Sequence, residues 1–235
     1  MNTRVKGFVY LLLSAVYFGF MPLLVKVICA DGSTIVGALF LRFALAIIPL
    51  YIYLKVRKVP MGVSMEDGKK ILCVTVFGYG ITALLLYSAY NYMPSGMATV
   101  IHFGYPVFVL LGSLIFLRRR VPKLKIVCVG LCMIGIFLSY AGSGGEAKLM
   151  GFVFALISGM TYAFYILYLE VGGLQDIPAM KMIFYMNIVG SIMVFLIGKV
   201  SGSFVLHMNV NAWIAAFVLS LGAAFIGVGF FQYGV

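Results

Sequence analysis

Charged residues are scarce in this sequence. Only 10% of its 235 residues are charged and six are acidic, whereas about a quarter of a soluble domain is charged. The hydrophobic fraction is 64% and the mean hydropathy is +1.14. A chain of this composition cannot cover its surface with groups that water solvates, so a soluble globular fold is excluded.

Catalytic and metal-binding motifs are also missing. The sequence contains no H-E-x-x-H zinc motif, no G-x-S-x-G nucleophile motif and no phosphate-binding P-loop. Its four cysteines, Cys29, Cys73, Cys128 and Cys132, form no C-x-x-C pair. No soluble segment is long enough to bind ATP, so ATP-driven pumping by this chain alone is excluded. We therefore predict a protein that is not an enzyme and that carries no cofactor and no metal.

Long hydrophobic runs are abundant. A bilayer core needs about 20 consecutive apolar residues for each helix. Barrel strands are excluded because they would be polar at every second residue. The eight predicted transmembrane helices are Gly7–Val27, Thr34–Leu54, Ile71–Tyr92, Ser95–Leu117, Leu124–Ala141, Leu149–Leu169, Met180–Gly198 and Trp213–Val235. The fifth is the weakest, because Lys125 leaves only residues 126–141 free of charge.

The basic residues that give the chain its net charge of +11 lie mainly in loops on one side of the predicted membrane. Basic residues precede the first predicted span and lie between spans 2 and 3, 4 and 5, and 6 and 7, while the opposite loops carry only Lys148 and Lys199. Because positive loops face the cytoplasm, we predict a multi-pass protein of the cytoplasmic membrane with its N-terminus inside. Topology and contact with anionic lipid account for this charge, which argues against a nucleic-acid partner.

The sequence contains an internal repeat with a spacing of 144 residues. Eight of the 21 positions of Gly7–Val27 are identical to those of Gly151–Val171, whereas so apolar an alphabet gives about two or three matches by chance. The same spacing carries Gly78 to Gly222 without a gap. We therefore treat residues 1–144 and 145–235 as two copies of one unit.

The repeat unit holds five predicted spans, an odd number, so the second copy must enter the membrane from the opposite face. This predicts an inverted repeat, an architecture of many secondary transporters, in which the substrate site lies near the midplane. Two full copies would exceed 235 residues, and the second copy has only its first three spans. The expected fold is an all-α integral membrane protein with eight of ten spans, incomplete at its C-terminal end.

Several strings are similar to one family of carriers. LRFALAIIPLY (residues 41–51) resembles that family's second span, ATVIHFGYPVFVLLGSLIFL (98–117) its fourth and GLCMIGIFLSY (130–140) its glycine-spaced fifth. The chain therefore resembles the drug/metabolite transporter superfamily and, within it, the EamA-type transporters. The resemblance implies a carrier of small metabolites or drugs, often one that performs efflux. The family often has a glutamate just after span 4, where this sequence has Arg118, Arg119 and Arg120.

Arg42 lies about eight residues into the second predicted span, where an arginine costs about 2.5–3.5 kcal/mol. No acidic residue lies mid-membrane to compensate for it. One interpretation is a substrate-binding residue that faces a polar cavity and pairs with a carboxylate or phosphate of the solute. The alternative is an arginine that snorkels to the headgroups or holds backbone carbonyls at a helix end.

Two prolines predict bends in their spans. Pro106 removes the amide that would bond to the carbonyl of His102, and Pro22 has the same effect on the carbonyl of Phe18. A freed acceptor beside the His102 imidazole suits substrate binding or proton sensing. The alternative for His102 is a hydrogen-bonded packing residue. Both prolines are candidate kink or gating positions.

Lys26 and Glu170 occupy equivalent positions of the repeat, each near the end of a span. The predicted inversion places them at opposite membrane faces, so they cannot pair simply with each other. They are candidate gating charges that exchange partners as the halves move. The alternative is that each anchors its helix at the interface.

Tyrosine and amide side chains lie within or beside the predicted spans. As a set they can line a cavity for an amphipathic solute and fix its orientation with hydroxyl and amide donors. The alternative is that each is a contact between helices. The candidate substrate-binding residues besides Arg42 and His102 are Tyr17, Tyr87, Asn91, Tyr162, Tyr165, Asn187 and Gln232.

Small residues recur four apart at equivalent positions of the repeat, as Ala15-xxx-Gly19 in span 1 and Gly159-xxx-Ala163 in span 6. Pairs of small residues at this spacing let transmembrane helices approach closely. We therefore predict close helix packing at both pairs.

The function favoured by the sequence is secondary transport of a small molecule by alternating access. The driving gradient, of protons or of another ion, is left open, and so is a homodimer. Two alternatives remain: an integral membrane enzyme acting on lipid or isoprenoid substrates, and a non-transporting membrane subunit. Such an enzyme needs paired acids or histidines near one face, and the acids here are scattered apart from Glu66 and Asp67.

Overall fold

The computed structural model describes residues 3–119, 122–142 and 148–230. Within these ranges the chain forms helices and no strand. The α-helices are α1 Thr3–Ala30, α2 Ile35–Val56, α3 Met65–Cys73, α4 Ile81–Ala89, α5 Ser95–His102, α6 Tyr105–Ile115, α7 Lys123–Ala141, α8 Leu149–Val171, α9 Ala179–Val200 and α10 Val210–Leu221. Two π-helical segments, Val74–Gly80 and Gly222–Gly229, continue α3 into α4 and extend α10, and Leu174–Asp176 is a short 3-10 helix.

As far as the described residues extend, the eight predicted spans are confirmed as helical regions. Seven segments of the described chain are long and apolar enough to cross a membrane, judged by length and composition. The helix of the predicted fifth span, α7, is not among these seven. Side chains such as Phe8, Ile48 and Phe77 are 68%, 69% and 60% exposed. Apolar exposure on this scale suits contact with lipid rather than water, so the chain is an all-helical, multi-pass membrane protein.

Polar caps and prolines set several helix ends. The Thr34 side chain accepts a hydrogen bond from the amide of Gly37 at the start of α2, and Asn209 caps α10 in the same way. Pro94, Pro122 and Pro178 immediately precede α5, α7 and α9. Proline suits such positions because its fixed φ fits the helix start and no amide is needed there.

The fourth span is interrupted near its middle. Helix α5 ends at His102, Phe103 and Gly104 form a turn, and α6 begins at Tyr105. The interruption comes directly before Pro106, which cannot donate the backbone hydrogen bond that would continue α5. Helix α1, by contrast, continues through Pro22.

The chain divides into two compact units, which we call unit 1 (residues 1–72 with 175–235) and unit 2 (residues 73–174). In unit 1, α2 packs against α9 and α10, and α1 packs against α10 and the second π-helical segment. In unit 2, α8 packs against α4, the first π-helical segment, α5 and α6, and α7 packs against α5 and α6. Each unit combines helices of both sequence repeats. The boundary predicted between residues 144 and 145 separates the two sequence repeats and not these two units, and it stays a prediction.

Candidate functional site

A buried histidine lies at the interruption of the fourth span in unit 2. His102 is the last residue of α5 and is 7% exposed. Its Nδ1 lies 2.9 Å from Oγ of Ser158, a fully buried residue of α8. The Ser158 hydroxyl donates to the carbonyl of Ala155 over 2.6 Å. Because the hydroxyl donates its one proton to Ala155, it accepts the hydrogen bond from His102 Nδ1–H.

Four tyrosines extend the contacts of this histidine, and we call them the tyrosine row: Tyr162 and Tyr165 of α8, Tyr105 of α6 and Tyr79 of the first π-helical segment. The ring of Tyr162 lies 5.3 Å from that of His102 and 4.8 Å from that of Tyr105, measured between centroids. Tyr165 follows at 5.4 Å from Tyr162, and Tyr79 lies 5.8 Å from Tyr165. These spacings are typical of favourable aromatic pairs. The row thus connects the interrupted span with the first π-helical segment.

Glycines allow the elements of this site to approach α8. A Cβ atom at Gly159 would lie 3.2 Å from the carbonyl oxygen of His102 and 3.6 Å from the amide nitrogen of Tyr105. A Cβ atom at Gly78 would lie 2.9 Å from Cβ of Tyr165. Gly78 lies in the first π-helical segment, and such segments occur frequently at functional sites. Close packing at these two glycines therefore brings the interruption and the π-helical segment onto one helix.

Further hydroxyl groups of unit 2 bond to one another. Thr82 Oγ1 on α4 lies 2.7 Å from Thr161 Oγ1 on α8. Tyr87 is buried and stacks on Tyr90, with ring centroids 5.5 Å apart, so it belongs to a different contact from the tyrosine row. Asn91 is exposed in the turn that follows α4. The structure therefore places Tyr87 in a stacked pair with Tyr90 and Asn91 in an exposed turn of the same unit.

Arg42 is buried in unit 1. Its side chain is 5% exposed, and its guanidinium carbon lies 5.5 Å from the ring centroid of Phe43. The hydroxyl of Ser220 on α10 donates to the backbone carbonyl of Arg42 over 2.8 Å. The contact between α2 and α10 thus passes directly beside this arginine.

Two other predicted site residues of unit 1 bond to backbone carbonyls. Tyr17 on α1 donates its hydroxyl to the carbonyl of Val218 over 2.8 Å. Asn187 is buried on α9, and its Nδ2 donates to the carbonyl of Ile183 over 2.8 Å. Both contacts are typical of polar groups satisfied within a helix bundle. Gln232 lies outside the described residues.

The four candidate kink and gating residues differ in their surroundings. Pro22 is buried within α1, whereas Pro106 at the start of α6 is exposed. Lys26 is exposed on α1. Glu170 near the end of α8 pairs with Arg119, with Oε1 2.5 Å from Nη1 and both side chains partly exposed. Arg119 lies in the stretch where the resembled family often has a glutamate, so this pair connects the residues after α6 with α8.

Three residues of the site were not selected from the sequence: Tyr79, Tyr105 and Ser158. Tyr105 is next to Pro106, and the proline marks the bend without showing which side chains surround it. Ser158 could have been selected from the sequence, because the equivalent residue of the first repeat, Ser14, is also a serine. In unit 1 the hydroxyl of Ser14 donates to the carbonyl of Gly227 over 2.7 Å, so the serine bonds across helices in both copies.

Metal binding has no support in the described part of the chain. No three His, Cys, Asp or Glu side chains there come together in a way that could hold an ion. The chemistry available at His102 is therefore that of imidazole and hydroxyl groups beside aromatic rings. Such a site can orient a small solute by hydrogen bonds and ring contacts.

Comparison with known proteins agrees with this reading of the fold. A solved crystal structure aligns with 99% of this chain and 78% of its own chain, with a TM-score of 0.70 and 13% sequence identity. An uncharacterized transporter of Clostridium kluyveri is 23% identical over 171 residues, which are 68% of this chain and 54% of that protein. The uncharacterized transporter YvbV of Bacillus subtilis is 28% identical over 152 residues, which are 64% of this chain and 47% of that protein. The chain thus spans about half the length of these curated relatives.

The family model of the EamA-like transporters matches residues 5–141, which is more than half of the chain. The match covers the first sequence repeat, including Arg42, the interrupted fourth span and α7. The relatives described above, which match the same chain, are named transporters. The chain belongs to the EamA-like transporter family.

Proposed function

We propose that this protein takes part in secondary transport of a small metabolite or drug by alternating access, and that the solute contacts the interrupted fourth span in unit 2. The observation that carries the proposal is the burial of His102 at the interruption, in contact with Ser158 and Tyr162. Irregular backbone at membrane depth is tolerated where protein buries it or where it lines a cavity. In transporters, discontinuous helices form substrate and ion sites.

The chemistry of the site suits a small amphipathic solute. Imidazole, serine and tyrosine groups supply donors and acceptors, and the tyrosine row supplies aromatic faces. The buried polar side chains among the described residues of unit 2 are hydroxyl groups and His102, so the site has no fixed charge of its own. Coupling to a proton gradient through His102 is part of the proposal, because histidine is the residue type commonly used as a proton carrier. Outward transport is proposed because the resembled carriers are often exporters.

Reciprocal contacts support the inverted repeat that the proposed mechanism uses. Helix α1, the first of repeat 1, packs on the third span of repeat 2, and α8, the first of repeat 2, packs on the third span of repeat 1. At the shared position of these third spans, a Cβ at Gly222 would meet the ring of Tyr17, and one at Gly78 would meet Tyr165. An exchange of partners of this kind is expected when a two-fold rotation relates the copies.

The loops after the second spans support the same relation. The Ser33 hydroxyl, just before α2, donates to the carbonyl of Val205 in the loop after α9 over 2.8 Å. Near the start of α9, Nζ of Lys181 donates to the carbonyl of Gly62 in the loop after α2 over 2.5 Å. Residues at the start of each second span therefore bond to the loop that follows the second span of the other repeat.

The proposal includes a cytoplasmic-membrane location with the N-terminus inside, which the basic loops favour.

The alternatives have less support. The relatives named transporters favour a protein that is not an enzyme. No contact among the described residues favours an enzyme acting on lipid or isoprenoid substrates or a non-transporting subunit. A homodimer stays a prediction, and the chain spans only about half of its relatives. We therefore propose solute binding for this chain and transport for the complete assembly.

Ligand-induced stabilisation of the purified chain in detergent tests the proposal. Amino acids, nucleosides, sugars and organic acids are screened, since a ligand that binds only the folded state stabilises it by about 2.7 kcal/mol at a hundred times its Kd. We expect one class to stabilise the wild type and the His207→Ala variant but not His102→Ala. His207 is an exposed loop residue and serves as the matched control.

Two further variants, tested in the same screen, show which residues bind the solute. Tyr162→Phe keeps the ring and removes the hydroxyl, so a partial loss of the shift would assign that hydroxyl to the solute. Arg42→Ala tests the candidate of unit 1: loss of the shift there, with full retention in His102→Ala, would move the site to unit 1 and contradict the proposal. Each shift is measured against the variant's own stability without ligand, so reduced folding stability alone does not mimic lost binding.

A further inference from the structure

A buried lysine lies at the start of α9 in unit 1. Lys181 is the third residue of this helix and is 8% exposed. Its Nζ donates to the carbonyl of Gly62 in the loop after α2, and it forms no ion pair with any residue that the structure describes. Lysine is almost never buried unless it is paired with an opposite charge. Within the described part of the chain, the partner of this charge is a neutral carbonyl alone.

The position of Lys181 in its helix adds to the local positive charge. The N-terminus of a helix carries a partial positive charge, which acidic side chains stabilise. The first turn of α9 contains no acidic residue, and Pro178 before it has no side-chain acceptor that could cap the first amides. Helical side chains lean toward the N-terminus of their helix, so that of Lys181 lies on the side of these amides. The start of α9 therefore combines two sources of positive potential.

The equivalent helix start in repeat 1 is built differently. Gly37 takes the place of Lys181, and Thr34 takes the place of Pro178. Thr34 caps α2, and a Cβ atom at Gly37 would clash with the carbonyl oxygen of Val205, so the loop after α9 lies directly on α2. In repeat 2 the lysine side chain stands between the helix and the loop carbonyl. A direct contact between helix and loop is thus replaced by a contact through an ammonium group.

The ammonium group of Lys181 has donors left for a ligand. It carries three N–H groups, and one partner, the carbonyl of Gly62, is found among the described residues. Tyr185 lies one turn further along α9, and its hydroxyl donates to the carbonyl of Met61. These two contacts hold the loop beside the helix start, and the contact at Nζ is only part-buried. A small anion can therefore reach the remaining donors while the loop stays in place.

We propose that Lys181 and the first turn of α9 form a binding site for a phosphate group, supplied by a phosphorylated solute or by a lipid headgroup. Amides at a helix N-terminus bind phosphate, and lysine binds it as a point charge. A phosphate has several oxygens, so one group can accept from the ammonium group and from the amides together. Its negative charge offsets the charge of the buried lysine. The site lies in unit 1 and uses neither His102 nor the tyrosine row, so it does not depend on the proposed function.

Chemical labelling of lysines in the wild-type chain tests the site. The full chain in a non-ionic detergent is acetylated in sodium chloride, in sodium phosphate of equal ionic strength, or in chloride with phosphatidylglycerol added to the micelles. Mass spectrometry measures the rate at each lysine. We expect phosphate or phosphatidylglycerol to slow labelling of Lys181 several-fold and to leave Lys69, an exposed lysine of α3, unchanged.

The two phosphate sources distinguish the ligands. Protection of Lys181 by free phosphate supports the proposal with a solute as ligand, and protection by phosphatidylglycerol alone supports it with a lipid headgroup. Unchanged labelling of Lys181 under both conditions would overturn the proposal. Equal slowing at Lys181 and Lys69 would overturn it as well, because it would show an unspecific effect of the anion.

Variants give an independent measurement. The phosphate source that protects Lys181 should raise the Tm of the wild type and of Lys69→Met, and the shift should be several-fold smaller in Lys181→Met. Lys181→Arg keeps the charge and should retain part of the shift. Each shift is measured against the variant's own Tm in chloride, so a less stable variant does not imitate lost binding. A full shift in Lys181→Met would contradict the proposal, whatever the solute screen at His102 shows.

Discussion

Units 1 and 2 hold their buried polar groups in different ways. In unit 1 the side chains of Ser14, Lys181 and Asn187 bond to backbone carbonyls. In unit 2, Ser158 and Thr99 also bond to backbone carbonyls. His102 and Thr82 differ, because they bond to the side chains of another helix. A bond to a backbone carbonyl fixes a helix or loop in place, whereas a side-chain partner can be exchanged for a solute group without moving the backbone. Under the proposed function, unit 1 would be a framework and unit 2 would contain the exchangeable contacts.

The largest effect on the free energy of unfolding is expected at Gly78 of unit 2, and Gly222 is the equivalent position of the repeat in unit 1. Gly78→Ala in unit 2 should lower the free energy of unfolding by about 1–3 kcal/mol, since its Cβ would meet Cβ and Cα of Tyr165, which cannot rotate away. Gly222→Ala in unit 1 meets the far end of the Tyr17 ring. That ring can turn at the cost of its hydrogen bond, about 1 kcal/mol.

Thermal or denaturant unfolding in detergent measures both variants. Gly19→Ala is the control, because its Cβ would meet nothing within 4 Å and should leave stability almost unchanged. A larger loss in Gly222→Ala than in Gly78→Ala would show that unit 1 is the more tightly packed of the two at this position.

The framework role of unit 1 is tested at Lys181. Its side chain is 8% exposed and donates to the carbonyl of Gly62, so Lys181→Met leaves that carbonyl without its donor and should lower stability by about 1 kcal/mol. The loop that contains Gly62 should also open more often, which limited trypsin digestion after Arg57 and Lys58 measures. The control is Lys69→Met, which changes an exposed lysine. Equal digestion of the two variants would mean that Lys181 does not hold the loop.

Hydropathy predicted the helices of both units but not all of their ends. The third predicted span begins at Ile71, whereas α3 begins at Met65. Hydropathy detects the lipid-facing core of a helix, while this helix start depends on Glu66 and Asp67 in the first turn, where acidic groups interact favourably with the helix dipole. The interruption of the fourth span was predicted in place by Pro106, because proline acts locally.

The site was predicted only in part, because most of it depends on which helices pack together. His102, Tyr162 and Tyr165 stood out as polar or aromatic residues within spans. Tyr79 and Tyr105 acquire their position from contacts with α8, and hydropathy carries no information about such pairings. The sequence repeat contained some information about helix pairing. The equivalent glycines Gly78 and Gly222 marked the places where a third span approaches the first helix of the other copy.

The smallest effect on stability is expected at the ion pair of unit 2. Arg119 and Glu170 have side chains that are 54% and 34% exposed, and partly exposed pairs contribute about 0–1 kcal/mol. A double-mutant cycle with Arg119→Ala and Glu170→Ala should therefore give a coupling energy below about 1 kcal/mol. The pair of Lys70 with Glu66, 2.7 Å apart within α3, serves as a control of similar kind. A coupling energy well above that of the control would mean that the pair fixes α6 to α8 in the folded state. A small coupling energy is what a gating contact requires, since a contact that opens and closes during transport must be weak enough to break at each cycle.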